Sequence, residues 1–337
     1  MIKCYGEILK QRDVMLNRLM TGWVLDPNNP VIAPTGKRAY YPTFLHVPDG
    51  VEYMGTDYSF IAWAATASGG PMEAFVSNDF STWVGPIPLT GGLAASLYHA
   101  AVVYVEGDAK PFKMWVWDGT ASPIKSHTYM VESADGFAWD AVQSFTAFTV
   151  PSGWNDAGYG FGHINYNPDA TNTGNNPKNY TYWGFLTDCM TSTGWEAQLL
   201  AWSADGLNWT CGVEQSILPS TTSSSEDPHR RYSHISRMSV CELANGEWIG
   251  FFSGGRNVDV CEGLWLIHSY DGVFFDPLHY FPHPQFGDRL VGSGLYGGYR
   301  TDSPCIRRVG SKLYLMWCVQ QTSSSSSRAA AVATYSI

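Results

Sequence analysis

Four copies of one short motif constrain the fold of this 337-residue chain more than any other feature. In each copy a serine lies two residues before an aspartate, and an aromatic residue follows that aspartate by four positions. Three copies continue as Asp-Gly, which favours a tight turn, and the aromatic residue begins the next strand. The motifs occupy residues 77–83, 133–139, 203–209 and 269–275. Their aromatic residues are 56, 70 and 66 positions apart, a period that suits the four-stranded blade of a β-propeller.

A fifth repeat is incomplete, and its missing strand is expected at the opposite end of the chain. Pairs of apolar or alternating segments precede each motif, and a fifth pair, at 305–309 and 312–319, is followed only by the apolar segment 329–337. Trp23 precedes Trp83 by 60 positions, close to one repeat period. A strand from residues 21–33 would complete the last blade and remove the free edges of the ring. The sequence therefore predicts an all-β, five-bladed β-propeller over residues 21–337.

Residues 1–20 have a different pattern. A helical spacing relates Tyr5, Ile8, Arg12, Met15, Leu16 and Leu19, which predicts a short amphipathic helix. This N-terminal helical extension is expected either to pack on the side or base of the propeller or to dock the chain to an assembly partner.

Composition narrows the function classes. Hydrophobic residues make up 45% of the chain and aromatic residues 15%, which excludes intrinsic disorder. The net charge of −10 argues against nucleic acid as a partner, and no apolar run reaches the length of a membrane span. The N-terminus lacks the apolar core of a secretory signal. The compartment stays open, although the composition favours an extracellular or surface-associated protein.

The seven cysteines are scattered without a metal-type spacing. Their odd number leaves at least one free thiol, and buried free thiols are expected. Two disulfides stay open as alternatives, Cys189 with Cys211 and Cys241 with Cys261.

Several segments carry a resemblance to a known clan of enzymes. They are Asn29-Pro30-Val31-Ile32 before the first blade, the Ser-x-Asp-Gly-x-x-Trp turns, Asp302-Ser303-Pro304-Cys305-Ile306, and the strand pair at 308–317. These segments resemble the five-bladed glycoside hydrolases, which include arabinanases, xylosidases, invertases and levansucrases. Related phosphorylases and sialidase-like lectins share similar turns. The resemblance, which covers residues 21–337, implies a carbohydrate-active propeller with its substrate in the central funnel.

One departure from that clan concerns catalysis. The clan places a catalytic aspartate at the start of the first blade's inner strand, just before a proline, whereas here Tyr41 precedes Pro42. A tyrosine is the nucleophile of sialidases, so either Tyr41 takes that role or the carboxylate has been lost or relocated. The nearest Asp-x-Pro segment on an inner strand begins at Asp302.

The starts of the inner strands are expected to face one central cavity. They are Tyr40-Tyr41, Tyr98-His99, Gly162-His163, Ser233-His234 and Thr301-Asp302. Three histidines with a carboxylate form a candidate metal site, and arabinanase-like relatives imply calcium there. Alternatively, His99, His163 and His234 bind substrate, or each bonds water or a neighbouring blade.

Hydrolysis of a glycoside needs one carboxylic acid to protonate the leaving oxygen and one carboxylate to activate water or attack. We expect Asp302 to be the base or nucleophile and Glu226 the general acid. Asp156, which enters the third blade, is a further candidate carboxylate.

Cationic and aromatic residues near these positions are candidates for substrate binding. Arg231 and Arg300 are expected either to bind a carboxylate, sulfate or phosphate of the substrate or to pair with Asp227 or Asp302. Glycine-rich loops carry Trp154 and Tyr299, whose rings suit sugar stacking. The tryptophans in mid-strand are expected in the core between blades, among them Trp63, Trp115, Trp117, Trp183 and Trp317.

Three functions follow from these observations. The first is a glycoside hydrolase that acts on a polysaccharide or oligosaccharide in the central funnel. The second is a carbohydrate-binding propeller without chemistry, favoured by Tyr41 at the expected aspartate position. The third is a structural component of a surface or virion assembly that docks through residues 1–20.

Overall fold

Five β-sheets follow one another along the chain in the computed structural model. The structure describes residues 22–33, 39–66, 71–93, 97–118, 127–140, 146–152, 160–189, 196–215, 234–255, 263–277, 291–292, 300–320 and 328–337. At several strand ends it describes the backbone alone. The all-β, five-bladed propeller predicted from the repeats is confirmed.

Each blade pairs its strands in chain order from the centre outward. The first blade contains β2 (Tyr40–Tyr53), β3 (Thr56–Ala65), β4 (Met72–Ser77) and β5 (Val84–Pro88). The second contains β7 (Leu97–Tyr104), β8 (Phe112–Asp118), β9 (His127–Ser133) and β10 (Ala138–Trp139), with β6 (Thr90–Gly91) at its outer edge. The third contains β12 (Phe161–Tyr166), β13 (Tyr182–Cys189), β14 (Glu196–Ser203) and β15 (Asn208–Gln215), with β11 (Ala147–Thr149) at its outer edge.

The last two blades follow the same plan. The fourth contains β16 (His234–Glu242), β17 (Trp248–Gly255), β18 (Gly263–Ser269) and β19 (Asp276–Pro277), and β20 (Val291–Gly292) also pairs with β18. The fifth contains β21 (Arg300–Val309), β22 (Lys312–Gln320) and β23 (Arg328–Ser336), with β1 (Val24–Leu25) at its outer edge. A short 3-10 helix (Pro177–Asn179) lies between β12 and β13.

The first strand of each blade lines a central channel. These inner strands contact one another in the cyclic order β2, β7, β12, β16 and β21, and β21 contacts β2. We call the end of the channel where they begin the top end and the other the bottom end. At the outer edge of the fifth blade, Val24 pairs with Thr334 and Leu25 with Ala333 in antiparallel register. The N-terminal strand and the C-terminal strand therefore belong to one sheet.

Apolar side chains pack between neighbouring blades. Each of the clusters of buried residues in the described part of the chain joins two adjacent blades. The mid-strand tryptophans lie in these clusters, as predicted, with Trp63, Trp115 and Trp317 fully buried. Burial of a large apolar side chain contributes about 1.5–3 kcal/mol, so the ring is stabilised mainly at its blade interfaces.

The Ser-x-Asp motif forms the same hydrogen-bonded turn wherever it occurs. In the third blade, Ser203 Oγ accepts the Gly206 N–H at 2.9 Å and donates to Asp205 at 3.0 Å. Asp205 Oδ1 also accepts the N–H groups of Leu207 and Asn208, both at 2.8 Å. Burial raises the pKa of Asp205, but these hydrogen bonds outweigh it and lower the pKa to about 2. The sequence motif therefore specifies a local structure that needs no distant partner.

Two of these turns also fasten a blade to the one before it. The Gly136 carbonyl accepts the Trp63 indole N–H at 2.9 Å, and the Gly206 carbonyl accepts the Trp115 indole N–H at 2.7 Å. Each tryptophan belongs to the preceding blade. A short repeat in the sequence thus controls both a hairpin and a blade interface.

Every inner strand has a β-bulge near the top end. The pairing with the second strand shifts between Tyr40 and Thr43, Tyr98 and Ala101, Phe161 and His163, Ser236 and Met238, and Asp302 and Cys305. Bulges re-aim side chains and often lie beside active sites. Tyr41, Arg237 and Ser303 lie in three of these bulges with φ angles of 50°, 50° and 52°. Such angles are strained for residues other than glycine and cluster at functional sites.

Gly162 lies in the bulge of the third blade, where two inner strands approach closely. A Cβ atom at this position would lie 2.5 Å from the Met238 carbonyl oxygen and 2.6 Å from the Met238 nitrogen. Backbone atoms cannot move aside as a flexible side chain can. We expect Gly162→Ala to lower the free energy of unfolding by about 1–3 kcal/mol, measured by urea titration.

Gly246→Ala is the control for Gly162→Ala, since nothing lies within 4 Å of a Cβ there. Its positive φ of 81° adds only local strain of about 1 kcal/mol. Equal losses from the two variants would contradict the close approach at Gly162.

Two cysteine alternatives are wrong. Cys211 and Cys241 are buried and are not in disulfides, so neither the Cys189–Cys211 nor the Cys241–Cys261 disulfide forms. Burial raises the pKa of Cys241 to about 12, which makes it an inert core residue.

The N-terminal extension predicted over residues 1–20 lies outside the described residues, so its helix and the division at residue 21 stay predictions. In the described part of the chain, no helix is long and apolar enough to cross a membrane.

Candidate functional site

The five blades meet around a small cavity on the channel axis, level with the bulges. Its lining includes Tyr41, Ala100, Gly162, Arg237 and Ser303, one from each blade, and its volume is about 20 Å³. That volume holds roughly one water molecule. This cavity is therefore too small for a sugar, which would have to bind above or below it.

Asp302 lies in the bulged segment of the fifth blade and is only 6% exposed. Its Oδ1 accepts hydrogen bonds from Ser253 Oγ at 3.0 Å and Ser303 Oγ at 3.1 Å. Within the described ranges, no residue donates a hydrogen bond to Oδ2. The carboxylate is thus oriented through one oxygen, while the other carries no described partner.

Tyr41 lies in the bulge of the first blade, at the register position that Ser303 occupies in the fifth blade. Burial and then the Asp302 carboxylate raise the pKa of the Tyr41 phenol far above its ordinary value, although Arg328 and Arg237 act in the opposite direction. A tyrosine nucleophile needs access to the phenolate form. These surroundings instead favour a neutral phenol that donates a hydrogen bond.

Two arginines that the sequence patterns do not predict lie beside this pair. Arg237 is 6% exposed, and its guanidinium lies 5.6 Å from the Tyr41 ring centre. Arg328, at the start of β23, is 5% exposed and lies 4.1 Å from the Tyr40 ring centre. Nε and Nη1 of Arg328 are buried without a hydrogen-bond partner among the residues described. A basic residue inside a buried strand is unusual, and that signal alone could have identified both.

These four groups form one charged centre, which we call the Asp302 cluster: Tyr41, Arg237, Asp302 and Arg328. Its elements come from the first, fourth and fifth blades. The cluster contains two guanidinium groups and one carboxylate, so the described cluster has a net positive charge. Such a centre can orient sugar hydroxyls and stabilise negative charge.

His163 lies just below the bulges, within a network that crosses the channel. Arg307 Nη1 donates to His163 Nδ1 at 2.7 Å, and Arg307 Nη2 donates to the Val102 carbonyl at 3.2 Å. Because arginine only donates, Nδ1 is the acceptor, and Nε2 donates to Asn165 Oδ1 at 3.0 Å. Both ring nitrogens of His163 thus bind protein groups. A metal at His163, proposed from the sequence, would have to displace one of them.

The network predicts a pH dependence of stability. Burial, and then the Arg307 charge, hold the pKa of His163 well below its ordinary value. The unfolded chain therefore takes up this proton first, so stability is retained above the ordinary histidine pKa and lost below it. When the pH falls from about 7.5 to about 5.5, we expect the free energy of unfolding to decrease by about 1.4 kcal/mol less in His163→Gln than in wild type. Urea titrations at both pH values measure this difference.

The comparison uses pH slopes, so a constant cost of the His163→Gln substitution does not affect it. His46→Gln is the control, because His46 is less buried and its pKa is lowered by burial alone. Parallel pH profiles for wild type and His163→Gln would contradict the proposed role of His163.

The three candidate histidines do not share a register position. His99 lies between the bulge-flanking residues Tyr98 and Ala101, whereas His163 follows its bulge. His234 lies three residues before Arg237, which occupies the bulge of the fourth blade. The sequence comparison that placed these histidines at one level is wrong, because the fourth inner strand begins further above its bulge.

Several predicted site residues cannot be located by their side chains. For His99, His234 and Arg300 the structure describes the backbone alone, which places each near the top of an inner strand. Glu226, Asp156, Arg231, Trp154 and Tyr299 lie outside the described residues. Over the described ranges, no group of three or more His, Cys, Asp or Glu residues is arranged to hold a metal ion.

Comparisons with solved structures identify the same fold in carbohydrate-active enzymes. The chain is similar to a thermostable family-43 glycoside hydrolase, with 12% identity, coverage of 90% of this chain and 91% of the other, and a TM-score of 0.59. An endo-1,4-beta-xylanase from Bacteroides thetaiotaomicron has 12% identity, coverage of 89% and 91%, and a TM-score of 0.56. A glycosyl hydrolase from Bacteroides ovatus has 14% identity, coverage of 94% for both chains, and a TM-score of 0.54.

No family model and no curated protein matches the sequence. The identities are low, so these structures establish the five-bladed fold and not an activity.

Proposed function

We propose that this chain is a carbohydrate-active propeller that hydrolyses a glycosidic bond at the top end of its channel. The observation that carries the proposal is the Asp302 carboxylate, which is buried and held through one oxygen by Ser253 and Ser303. If the Asp302 carboxylate served stability alone, no strained bulge would be required beside it. The fold, shared with several glycoside hydrolases, supports this proposal.

In the proposed reaction, Asp302 acts as the base or nucleophile through Oδ2. The buried N–H groups of Arg328 and the Tyr41 phenol are suited to hold sugar hydroxyls around the reacting carbon. Asp302 and Arg328 belong to the same blade but to its first and third strands. The cluster is therefore positioned by rigid strands, which suits precise catalysis.

A second carboxyl group must protonate the leaving oxygen, about 5–10 Å from the first. Glu226 remains the candidate from the sequence. The backbone adds two further candidates, because Asp118 and Asp188 lie near the top ends of β8 and β13. Single Asp→Asn or Glu→Gln substitutions at these three positions identify the general acid. Only the variant that lacks it should recover activity on substrates with a good leaving group.

A carbohydrate-binding propeller without chemistry is the second candidate function. It is favoured by Tyr41, whose neutral phenol stands where the resembling clan has a carboxylate. Both functions require a sugar at the top end. They differ only in whether a bond is broken there.

One experiment separates the two functions. Arabinans, xylans, galactans, fructans and host glycans are incubated with the protein, and both released sugar and retained glycan are measured by mass spectrometry. Release from one polymer supports the hydrolase. Retention without release favours the binding propeller, and absence of both overturns the proposal of a carbohydrate-active protein.

A further inference from the structure

A second and larger cavity opens at the bottom end of the channel. Its volume is about 620 Å³, within the range of small-molecule sites. All five blades contribute, because its lining includes Leu45, Val103, Asn165, Val240 and Arg307. Nothing in the proposed reaction at the top end requires this cavity.

The lining of this bottom cavity is rich in positive charge. The cations of the lining are Lys178, Arg307 and Arg308. Glu242 is its single carboxylate, and His163 is neutral. Tyr104, Tyr166 and Cys241 are its remaining titratable groups. Outside the lining, Asp271 acts on Lys178, and Asp49 and Glu106 act on Tyr104. A chain with a net charge of −10 therefore concentrates cations in one concave site, which favours an anionic ligand.

Lys178 reaches the cavity on an insertion found in the third blade. The bottom connections of the first and fifth blades are two-residue turns, whereas residues 167–181 join β12 to β13. Side chains hold this insertion in one conformation: Asn167 Nδ2 donates to the Lys178 carbonyl at 2.6 Å, and the Lys178 N–H donates to Asn176 Oδ1 at 3.1 Å. Asn172 Oδ1 accepts the Thr181 N–H at 2.9 Å. The insertion thus presents a lysine at a fixed place.

The Lys178 ammonium is also held over aromatic rings. It lies 4.8 Å from the Trp248 ring centre and 5.8 Å from that of Trp183. Within the part of the chain that the structure describes, it has no hydrogen-bond acceptor. Burial lowers the pKa of Lys178, so an anion that binds there would gain a strong partner and raise that pKa.

The bottom cavity is separate from the Asp302 cluster. Asp302 and Arg307 are five residues apart on β21, a distance on the order of 15 Å along a strand. Between them the channel is narrowed by the bulges and crossed by Arg307, which bonds His163 and the Val102 carbonyl. A ligand at one end cannot extend to the other.

We propose that the bottom cavity binds a small polar molecule that carries an oxyanion, either a carboxylate, a sulfate or a phosphate. Lys178 provides a point charge, and Arg307 and Arg308 provide guanidinium groups suited to such oxygens. The volume accommodates a ligand of the size of a monosaccharide or disaccharide.

Calorimetric titration of the full chain tests this binding with defined probes. Glucuronate, glucose 6-sulfate, glucose 6-phosphate and inorganic phosphate cover the three oxyanions, and glucose is the neutral control. We expect saturable binding of at least one anionic probe below about 10 mM, and no binding of glucose. Because Trp183 and Trp248 flank Lys178, the same titration should change the tryptophan fluorescence.

Lys178→Met keeps the aliphatic stem over the rings and removes the charge, so we expect the affinity to fall at least ten-fold. Lys312→Met is the matched control, because Lys312 is exposed at a bottom hairpin outside the cavity. It should change the affinity less than two-fold. Thermal melting confirms that both variants are folded.

Three results would overturn the proposal: no binding of any anionic probe, equal affinity for glucose, or unchanged affinity in Lys178→Met. Unchanged affinity in Lys178→Met is also the result expected if the anion binds the arginines of the Asp302 cluster instead. The proposed hydrolase does not depend on this proposal, because Asp302 lies outside the bottom cavity. Asp302→Asn should therefore not alter anion binding there.

Discussion

Asp302→Asn is expected to lower sugar release about 1,000-fold while the fold is retained. The amide is nearly isosteric with the carboxylate, and its oxygen can still accept hydrogen bonds from Ser253 and Ser303. The substitution removes the negative charge and replaces Oδ2 with a donor. An amide neither abstracts a proton from water nor attacks a sugar carbon. The rate constant for release is measured on whichever polymer gives product.

Ser253→Ala separates the role of the Asp302 charge from that of its orientation. This variant removes one of two donors to Oδ1 and leaves the carboxylate. We expect a loss of no more than about ten-fold, equivalent to about 1.4 kcal/mol. A similar loss in both variants would assign Asp302 a structural role. Urea titration of each variant checks that stability changes by less than about 1.5 kcal/mol.

The blade architecture could be predicted because its signal is local and repeated. Each Ser-x-Asp turn satisfies its hydrogen bonds within six residues, as Ser203 and Asp205 illustrate. A turn of this kind forms whenever the motif is present, so four copies indicate four hairpins. Asp302 was found through its segment Asp302-Ser303-Pro304, which also has a local pattern.

The rest of the candidate site depends on contacts that are distant along the chain. Arg307 and His163 are 144 residues apart, yet they share a hydrogen bond. Burial, and then the Arg307 charge, lower the pKa of His163. No local pattern distinguishes Arg307 from the adjacent Arg308, which is exposed. Similarly, Arg328 begins an alanine-rich strand, where a basic residue is unusual, but its neighbour Tyr40 is known only once the ring brings the two together.

The fourth blade illustrates how a register error misplaces a site residue. An aromatic turn sets the repeat, but the length of the inner strand above its bulge is free to vary. Repeat spacing therefore aligns His234 with His163, whereas in the structure Arg237 occupies the bulge. Strained φ angles follow from the ring geometry and leave no signature in the sequence.

The two ends of the channel are built from different parts of the blades. Bulges and strand starts form the Asp302 cluster, whereas strand ends and the 167–181 insertion form the bottom cavity. Between them, His163 is buried and hydrogen-bonded at both ring nitrogens, and its partner Arg307 is half-buried in the wall of the bottom cavity. Substitutions at one end should therefore act independently of those at the other, since distant sites without shared partners are additive.

Trp23→Ala is expected to lower the free energy of unfolding by about 3–5 kcal/mol. Trp23 is 2% exposed, and its ring centre lies 5.3 Å from that of Phe251 and 5.6 Å from that of Tyr335. It thus packs against the fourth and fifth blades. Its indole N–H has no acceptor within the described ranges, so the expected loss comes from packing.

The size of this effect follows from how the last sheet is completed. β1 contains only two residues, Val24 and Leu25, so its backbone pairing alone contributes little. Asp26 and Ile32 also form backbone hydrogen bonds to β23, and the Asn29 side chain bonds Val332. The apolar part of this anchoring comes from Trp23. Without it, the edge of β23 becomes available to other strands. Urea titration measures the loss, and protease cleavage near residue 25 should accelerate.

Val24→Ala is the matched control for Trp23→Ala, because Val24 is the next residue along the chain and its side chain is 64% exposed. We expect it to change stability by less than about 0.5 kcal/mol. A loss below about 1 kcal/mol in Trp23→Ala would mean that the ring is stable without its N-terminal strand. That strand would then be an accessory edge, and the blade interfaces alone would keep the propeller closed.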